Sequence, residues 1–213
     1  MDRMISLHSS WHLAPAEIDA NPAPPERRDL LAVFTGSSDT KPHLRMPLVT
    51  GLGLCGDCEA LYWSRASPPH RALLGQALTP LLRRAKFSIV PPGDALDRAS
   101  RDQSIGMGAV PVWFDVAPGA AFELAYGVAQ RPHLPWTPLL NWSAFSVRFT
   151  LSQAELRGAK NYWPRLEAHL RSLVSSGRAV ELSAGVAAVR HRFEWTESGI
   201  VRNLMELLAL RSM

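Results

Sequence analysis

The chain has 213 residues, 46% hydrophobic and 20% charged, which fits one large folded domain or two small ones and excludes a disordered tail or a solenoid of charged helices. Its formal charge of +4 comes with 20 Arg against 3 Lys. Arg suits a planar grip on phosphate or carboxylate, although an Arg-rich proteome gives the same count; the residues are scattered, adjacent only at Arg27-Arg28 and Arg83-Arg84, which argues against a nucleic-acid stripe. No apolar run reaches the roughly 18 residues a membrane span requires, and the opening segment lacks the apolar centre of a signal peptide, so any membrane anchor is expected upstream of this sequence.

In chain order, Ile5–Leu7 is a short strand candidate, followed by Ser9–His12 and a Pro-rich connector from Pro15 to Pro25 that should be irregular. Leu30–Phe34 is a continuous apolar run closed by Thr35-Gly36-Ser37-Ser38, the pattern of a buried strand leading into a turn, and therefore of a parallel sheet. Between His70 and Ala85, Leu73, Leu74, Ala77, Leu78, Leu81 and Leu82 recur at helical spacing. Phe87–Val90 then reads as a second buried strand, ended by Pro91-Pro92-Gly93. A short helix over Arg98–Met107 and a third apolar run, Ala109–Phe114, complete a strand, loop, helix, strand unit.

A long loop carrying Pro118, Gly119, Pro132, Pro135 and Pro138 follows, then a strand over Phe145–Phe149. Ser152 with Glu155 three residues on is a capping-box pattern that should start a helical turn within Leu151–Leu156. Helices are expected near Asn161–Ser175 and Ser198–Leu210. There is no internal repeat. This alternation predicts an α/β fold, an open parallel sheet with helices on both faces. Three regions are expected: 1–28, a leading strand and connector; 29–175, the Rossmann-like domain; and 176–213, a strand and helix packing back on it.

In such sheets ligands bind beyond the carboxyl ends of the strands, which selects Thr35–Lys41 and Pro91–Arg98. Gly93 permits close backbone approach, the helix that follows presents unpaired N–H groups, and Arg98 suits bidentate contact with a diphosphate. The alternative is that Asp97 caps that helix and Arg98 lies in solvent. Cys55 and Cys58 alone cannot make a four-ligand zinc site, and their spacing suits a short-loop disulfide or two inert thiols. The seven His are dispersed without metal-ligand spacing. Trp136, Trp142, Trp163 and Trp195 fill a core or, Trp136 foremost, stack on a sugar or base. No GxSxG occurs, so a hydrolase reading has no support.

The stretch Gly93–Phe114 resembles the nucleotide-sugar-binding region of exostosin-type glycosyltransferases, especially the plant branch that includes xyloglucan galactosyltransferases. Gly93, Asp94, Arg98, Ser100, Ser104, Ile105, Gly108, Pro111, Val112 and Phe114 match that branch's pattern at the right spacing. Upstream, Asp29–Gly36 looks like the family's apolar strand, with Arg45 where a basic residue follows it. Downstream, Tyr126, Leu134-Pro135-Trp136 and Asn141–Val147 look like the closing part of the same domain. The resemblance covers roughly residues 1–175.

It implies a GT-B enzyme, two Rossmann-like halves around a cleft, of which these residues resemble the C-terminal, donor-binding half, with the acceptor half outside the sequence. A nucleoside diphosphate sugar, UDP-linked, would be the donor substrate and a glycan the acceptor, with no tightly bound cofactor, no metal and no nucleic acid. The donor-binding residues it implies are Gly36, Ser37, Arg45, Gly93, Asp94, Arg98, Ser100, Gln103 and Ser104. No catalytic residue is named, because in this layout the base comes from the other half. The implied compartment is the Golgi. Three positions depart from the pattern: Gln103 stands where the family has Asp or Glu to hold the ribose, Ala99 replaces a second Arg, and Ala109 replaces a Cys. Gln lacks the charge-assisted strength of a carboxylate, and Arg101 replaces the lost Arg only if the helix register allows. A catalytically silent nucleotide-sugar or glycan-binding module, a truncated fragment, and a basic domain contacting polyanions are the alternatives.

Overall fold

The protein is described by a computed structural model at residues 22–64, 71–93, 99–121, 124–125, 134, 139–193, 203, 205–206 and 209. Strands β1 (Leu30–Ser37), β2 (Cys58–Trp63), β3 (Ala85–Val90), β4 (Val110–Val116) and β5 (Val147–Leu151) form one parallel sheet in the order β2-β1-β3-β4-β5. Helix α1 (Pro42–Leu54) joins β1 to β2, α2 (Arg71–Arg84) precedes β3, and α3 (Ala99–Gly106) joins β3 to β4. After β5 come α4 (Gln153–Leu156), α5 (Trp163–Ser175) and α6 (Arg178–Val189). The expected α/β architecture, with helices on both faces of an open parallel sheet, is the one found.

The near-continuous apolar character of β1, β3 and β4 follows from that double cover. Phe34, Phe87, Ile89, Val112 and Phe114 share one core with Leu44, Leu48 and Leu52 of α1 and Trp163, Leu166 and Leu170 of α5. Leu30, Val33, Ala85, Met107 and Ala109 form a second cluster with Leu82 of α2. Each large side chain so enclosed contributes about 1.5–3 kcal/mol relative to leaving it in water. β2, the edge strand of the sheet among the described residues, is only partly buried.

Two glycines set close approaches. A Cβ on Gly51 of α1 would fall 2.2 Å from the Trp163 ring, so the α1–α5 contact requires its absence. Gly108 (φ +76°) ends α3 in the left-handed conformation. Its N–H donates to Ile105 O and that of Ala109 to Ser104 O, the paired bonds of a Schellman cap. The capping box expected at Ser152 is present, with the Ser152 hydroxyl accepting from the Glu155 N–H and the Glu155 carboxylate accepting from the Ser152 N–H.

Arg28 lies just before β1 and is 2% exposed. It donates to the carbonyls of Ala23, Leu82, Ala85 and Met107 at 2.8, 3.1, 2.7 and 3.2 Å. Burial lowers its pKa to about 10. Cys55 and Cys58 form a disulfide that links the end of α1 to the start of β2, the first of the two readings their spacing allowed. Among the described residues no helix is long and apolar enough to cross a membrane.

Several boundaries differ from expectation. Thr35, Gly36 and Ser37 are not a turn: they continue β1 and pair with Leu61, Tyr62 and Trp63 of β2. The last strand covers Val147–Leu151 rather than Phe145–Phe149, because Trp142–Ala144 winds into a 3-10 turn and Phe145 is buried beside Trp142. In 176–213 the described residues from Arg178 on are helical, and the strand expected there has no counterpart among them. α1, β2 and α6 carry no sequence expectation. Ile5–Leu7, Ser9–His12 and most of Ser198–Leu210 lie outside the described residues.

Candidate functional site

The sheet order reverses between β1 and β3: the chain moves from β1 outward to β2, then returns to β3 on the other side and continues to β4 and β5. Loops leaving β1 and β3 therefore diverge and open a crevice at their carboxyl ends, the place where open α/β sheets bind ligands. The segments that meet there are Ser37–Lys41 after β1 and Pro91–Gly93 after β3. These are the two loops singled out from the sequence, and the pairing of β1 with β3 brings them together.

Arg45, in the first turns of α1, is the group that joins them. Its Nη1 donates to Ser37 O at 2.6 Å, and its Nε and Nη2 donate to Pro92 O at 3.3 and 3.1 Å. The residue is 3% exposed, and its guanidinium lies 5.8 Å from the Phe34 ring. A Cβ on Gly36 would lie 3.1 Å from that ring, so the glycine leaves room for Phe34 beneath the fork. Tyr162, from beyond β5, fixes α1 from behind by donating its hydroxyl to Leu44 O at 2.6 Å. Burial pushes that hydroxyl well above its ordinary pKa, so it remains a donor.

The β1 loop is closed by its own polar groups. Ser37 Oγ donates to Asp39, Ser64 Oγ donates to Asp39 at 3.0 Å, and the Ser38 N–H donates to Trp63 O at 2.9 Å. Lys41 follows at φ 50° and ψ 62°, immediately before Pro42 opens α1. Burial, with a smaller contribution from the neighbouring Arg45 charge, lowers its pKa. Sequence reasoning included Lys41 as the last residue of the Thr35–Lys41 segment without giving it a role of its own; the signal was a Lys before a helix-opening Pro at the end of a buried strand.

On the β3 side Gly93 is buried at the end of the strand. Ser100 is half-buried and its carbonyl accepts from Ser104 Oγ. Ser104 turns away from the crevice: it is fully buried, and with its own proton on Ser100 O its oxygen accepts from the Ser88 hydroxyl at 2.7 Å, joining α3 to β3. Gln103 is half-buried on the same helix. Arg101 does not take the place of the absent second Arg. It is 3% exposed, donates to Asp102 at 3.0 Å and lies 5.3 Å from the Trp142 ring. Asp94, Asp97 and Arg98, like Tyr126, Trp136 and Trp195, lie outside the described residues. Of the nine donor-binding positions implied by the resemblance, then, Gly36, Ser37, Arg45 and Gly93 converge on the crevice, Ser100 and Gln103 stand on α3, and Ser104 faces the sheet.

The β1 loop thus brings two cations, the buried Arg45 guanidinium and the Lys41 ammonium, to the end of β1 together with the Asp39 carboxylate.

Residues 7–159 match the Exostosin GT47 domain. No curated protein matches the chain. The chain belongs to the exostosin GT47 family, a family of glycosyltransferases that take a sugar donor and an acceptor.

Proposed function

We propose that the chain is the donor-binding half of an exostosin-type glycosyltransferase of the xyloglucan galactosyltransferase kind, holding a UDP-sugar at the carboxyl ends of β1 and β3 and acting in the Golgi lumen on a glycan acceptor. The observation that carries this reading is the reversal of strand order between β1 and β3, with the Ser37 and Pro92 loops tied together above a buried positive charge. A diphosphate placed there would rest against Gly93 and the segment leading into α3, with Arg98 as its bidentate partner and Gln103 toward the ribose. Electrostatic stabilisation of the departing diphosphate is the chemistry such a site supplies. Transfer also requires an acceptor held in line with the donor, which a second lobe would provide. The Cys55–Cys58 disulfide supports an oxidising compartment.

The test is calorimetric titration of UDP, ADP and inorganic diphosphate into the chain and into Arg98→Ala and Gln103→Glu. UDP should bind more tightly than plain diphosphate, Arg98→Ala should weaken it, and Gln103→Glu should strengthen it. No preference for UDP, or unchanged binding in Arg98→Ala, overturns the assignment. Incubated with UDP-sugar and acceptor oligosaccharides, the 213-residue chain alone should bind donor without transferring it. A second reading, a catalytically silent nucleotide-sugar-binding module, is favoured by Gln103 standing where the family pattern carries an acid. Restoration of tight UDP binding by Gln103→Glu supports that reading too, and sugar transfer by any reconstituted form excludes it.

A further inference from the structure

We infer that Asn141 is an acceptor for N-linked glycosylation. Of the four Asn in the chain, Asn141 is the one followed two residues later by a hydroxyl residue, with a non-proline between them: Asn141-Trp142-Ser143. This is the triplet required for transfer of an oligosaccharide to an amide nitrogen. A triplet of this kind is common by chance, and what sets this one apart is how the fold presents it.

Trp142, the middle residue, is 6% exposed. Its ring packs 4.8 Å from Phe145 and 5.8 Å from Phe193, with Arg101 on it as well. Pinning that ring in the core turns the residues on either side outward, and Asn141 and Ser143 are both exposed. Their side chains meet: Ser143 Oγ donates to Asn141 Oδ1 at 2.7 Å. The carboxamide oxygen is thereby engaged by the hydroxyl, and Nδ2, the atom that would bear the sugar, belongs to a side chain that is exposed. The turn does not depend on either side chain, since it is closed by the Ala144 N–H on Asn141 O and by Arg178 on Ser143 O. A glycan on Nδ2 thus breaks no bond that holds the fold.

Placement on the sheet agrees. The Trp142–Ala144 turn leads into the amino end of β5, and all five strands are parallel, so Asn141 lies at the edge opposite the crevice after β1 and β3. A bulky oligosaccharide there leaves the proposed donor site open. The disulfide supplies an independent sign of the compartment in which such transfer occurs.

In the step proposed, Nδ2 of Asn141 forms a bond to C1 of the reducing-end sugar of a lipid-diphosphate-linked oligosaccharide. The bond from C1 to the phosphate oxygen breaks, the lipid diphosphate leaves with the electron pair, and the Nδ2 proton passes to a base of the membrane oligosaccharyl transferase that catalyses the reaction. The inference rests on the luminal placement proposed above. Delivering the chain to microsomes behind a cleavable leader separates the two, because the leader fixes the address whatever the natural one is.

Translate the leader-bearing full chain with microsomes and score only the chains that the membrane protects from added protease. The expected result is one step of added mass, removed by peptide N-glycosidase with conversion of Asn141 to Asp in the tryptic peptide. Asn141→Gln and Ser143→Ala should each lose the step, and Ser143→Thr should keep it. Protected wild-type chains without the modification overturn the inference, as does a mass step that survives in Ser143→Ala. Both acceptor-site variants change exposed side chains, and a preserved Cys55–Cys58 bridge in the protected fraction verifies that each has folded.

Discussion

Arg45 and Pro92 are 47 residues apart in sequence, and two nitrogens of the Arg45 guanidinium meet the Pro92 carbonyl while the third reaches Ser37. One side chain thus sets the spacing between the ends of β1 and β3, the two loops on which the proposed donor site depends.

Arg45→Met should therefore cost stability and binding together. It leaves the Ser37 and Pro92 carbonyls without their donor, and an orphaned buried carbonyl costs about 1–3 kcal/mol, so a loss of about 2–4 kcal/mol is expected. Arg45→Lys should recover only part, because an ammonium cannot bridge two carbonyls as a planar fork does. Urea unfolding reads the stability, and UDP titration of the folded variants reads the site. Wild-type midpoints in Arg45→Met would exclude the stitch.

Glu155 gives a pH dependence with a defined sign. Burial raises its pKa, but the Arg165 guanidinium and the Ser152 N–H and hydroxyl outweigh this, so the net effect is a carboxyl held below its ordinary value. A depressed folded-state pKa contributes stability that is present above the ordinary Glu pKa and is lost as pH falls through the folded one. Glu155→Gln should cost about 1–2 kcal/mol at pH 7, since Arg165 is half-exposed and the pair is partly screened. The gap from wild type should close in acid. An equal gap at pH 7 and pH 3 would remove the ion pair from the account.

Two glycines make a matched test of packing. A Cβ on Gly185 of α6 would fall 2.1 Å from Ala144 O, a backbone atom that cannot rotate away, so Gly185→Ala should lose about 1–3 kcal/mol through displacement of the helix. A Cβ on Gly53 of α1 meets nothing within 4 Å, and Gly53→Ala should gain about 0.4–1 kcal/mol. Thermal melts of the two variants should move in opposite directions.

The disulfide should prove modest. It closes a loop of only four residues, for which the loop-entropy relation gives about 2 kcal/mol. Replacing both cysteines with Ala should lower stability by no more than that and leave UDP binding unchanged, because the bridge lies at the amino end of β2, away from the crevice. Weakened UDP binding in the double variant would show that the two ends of the sheet are coupled.

Sequence patterns carry the centre of this fold clearly and its margins poorly. Leu30–Phe34, Phe87–Val90 and Ala109–Phe114 are legible because strands covered on both faces read as unbroken apolar runs. α1 is hidden by Pro42, Pro47, Gly51 and Gly53, which read as breakers, although Pro42 stands at the helix start, where its missing N–H costs nothing, and Gly51 is required by Trp163. β2 is hidden because an edge strand has no such run, and Cys58–Trp63 mixes Glu59 with apolar residues. Within the candidate site the loops are found by position, but Ser104 shows the limit. Its place in a motif says nothing of direction; the informative residue is Ser88, a polar side chain inside an apolar strand, which required a partner and found it in Ser104.

Arg28 has a consequence for the order in which the molecule assembles. Three of its carbonyl acceptors lie 54, 57 and 79 residues further along the chain, at the end of α2, the start of β3 and the turn after α3. No local structure can satisfy it, so its guanidinium stays hydrated until all three segments have docked, and closing such long loops is an entropic cost met late. Interactions absent from the transition state govern escape from the native state more than arrival at it. Arg28→Met should accordingly accelerate unfolding in stopped-flow measurements while leaving the refolding limb nearly unchanged, making this residue a latch on the finished sheet and not part of its nucleus.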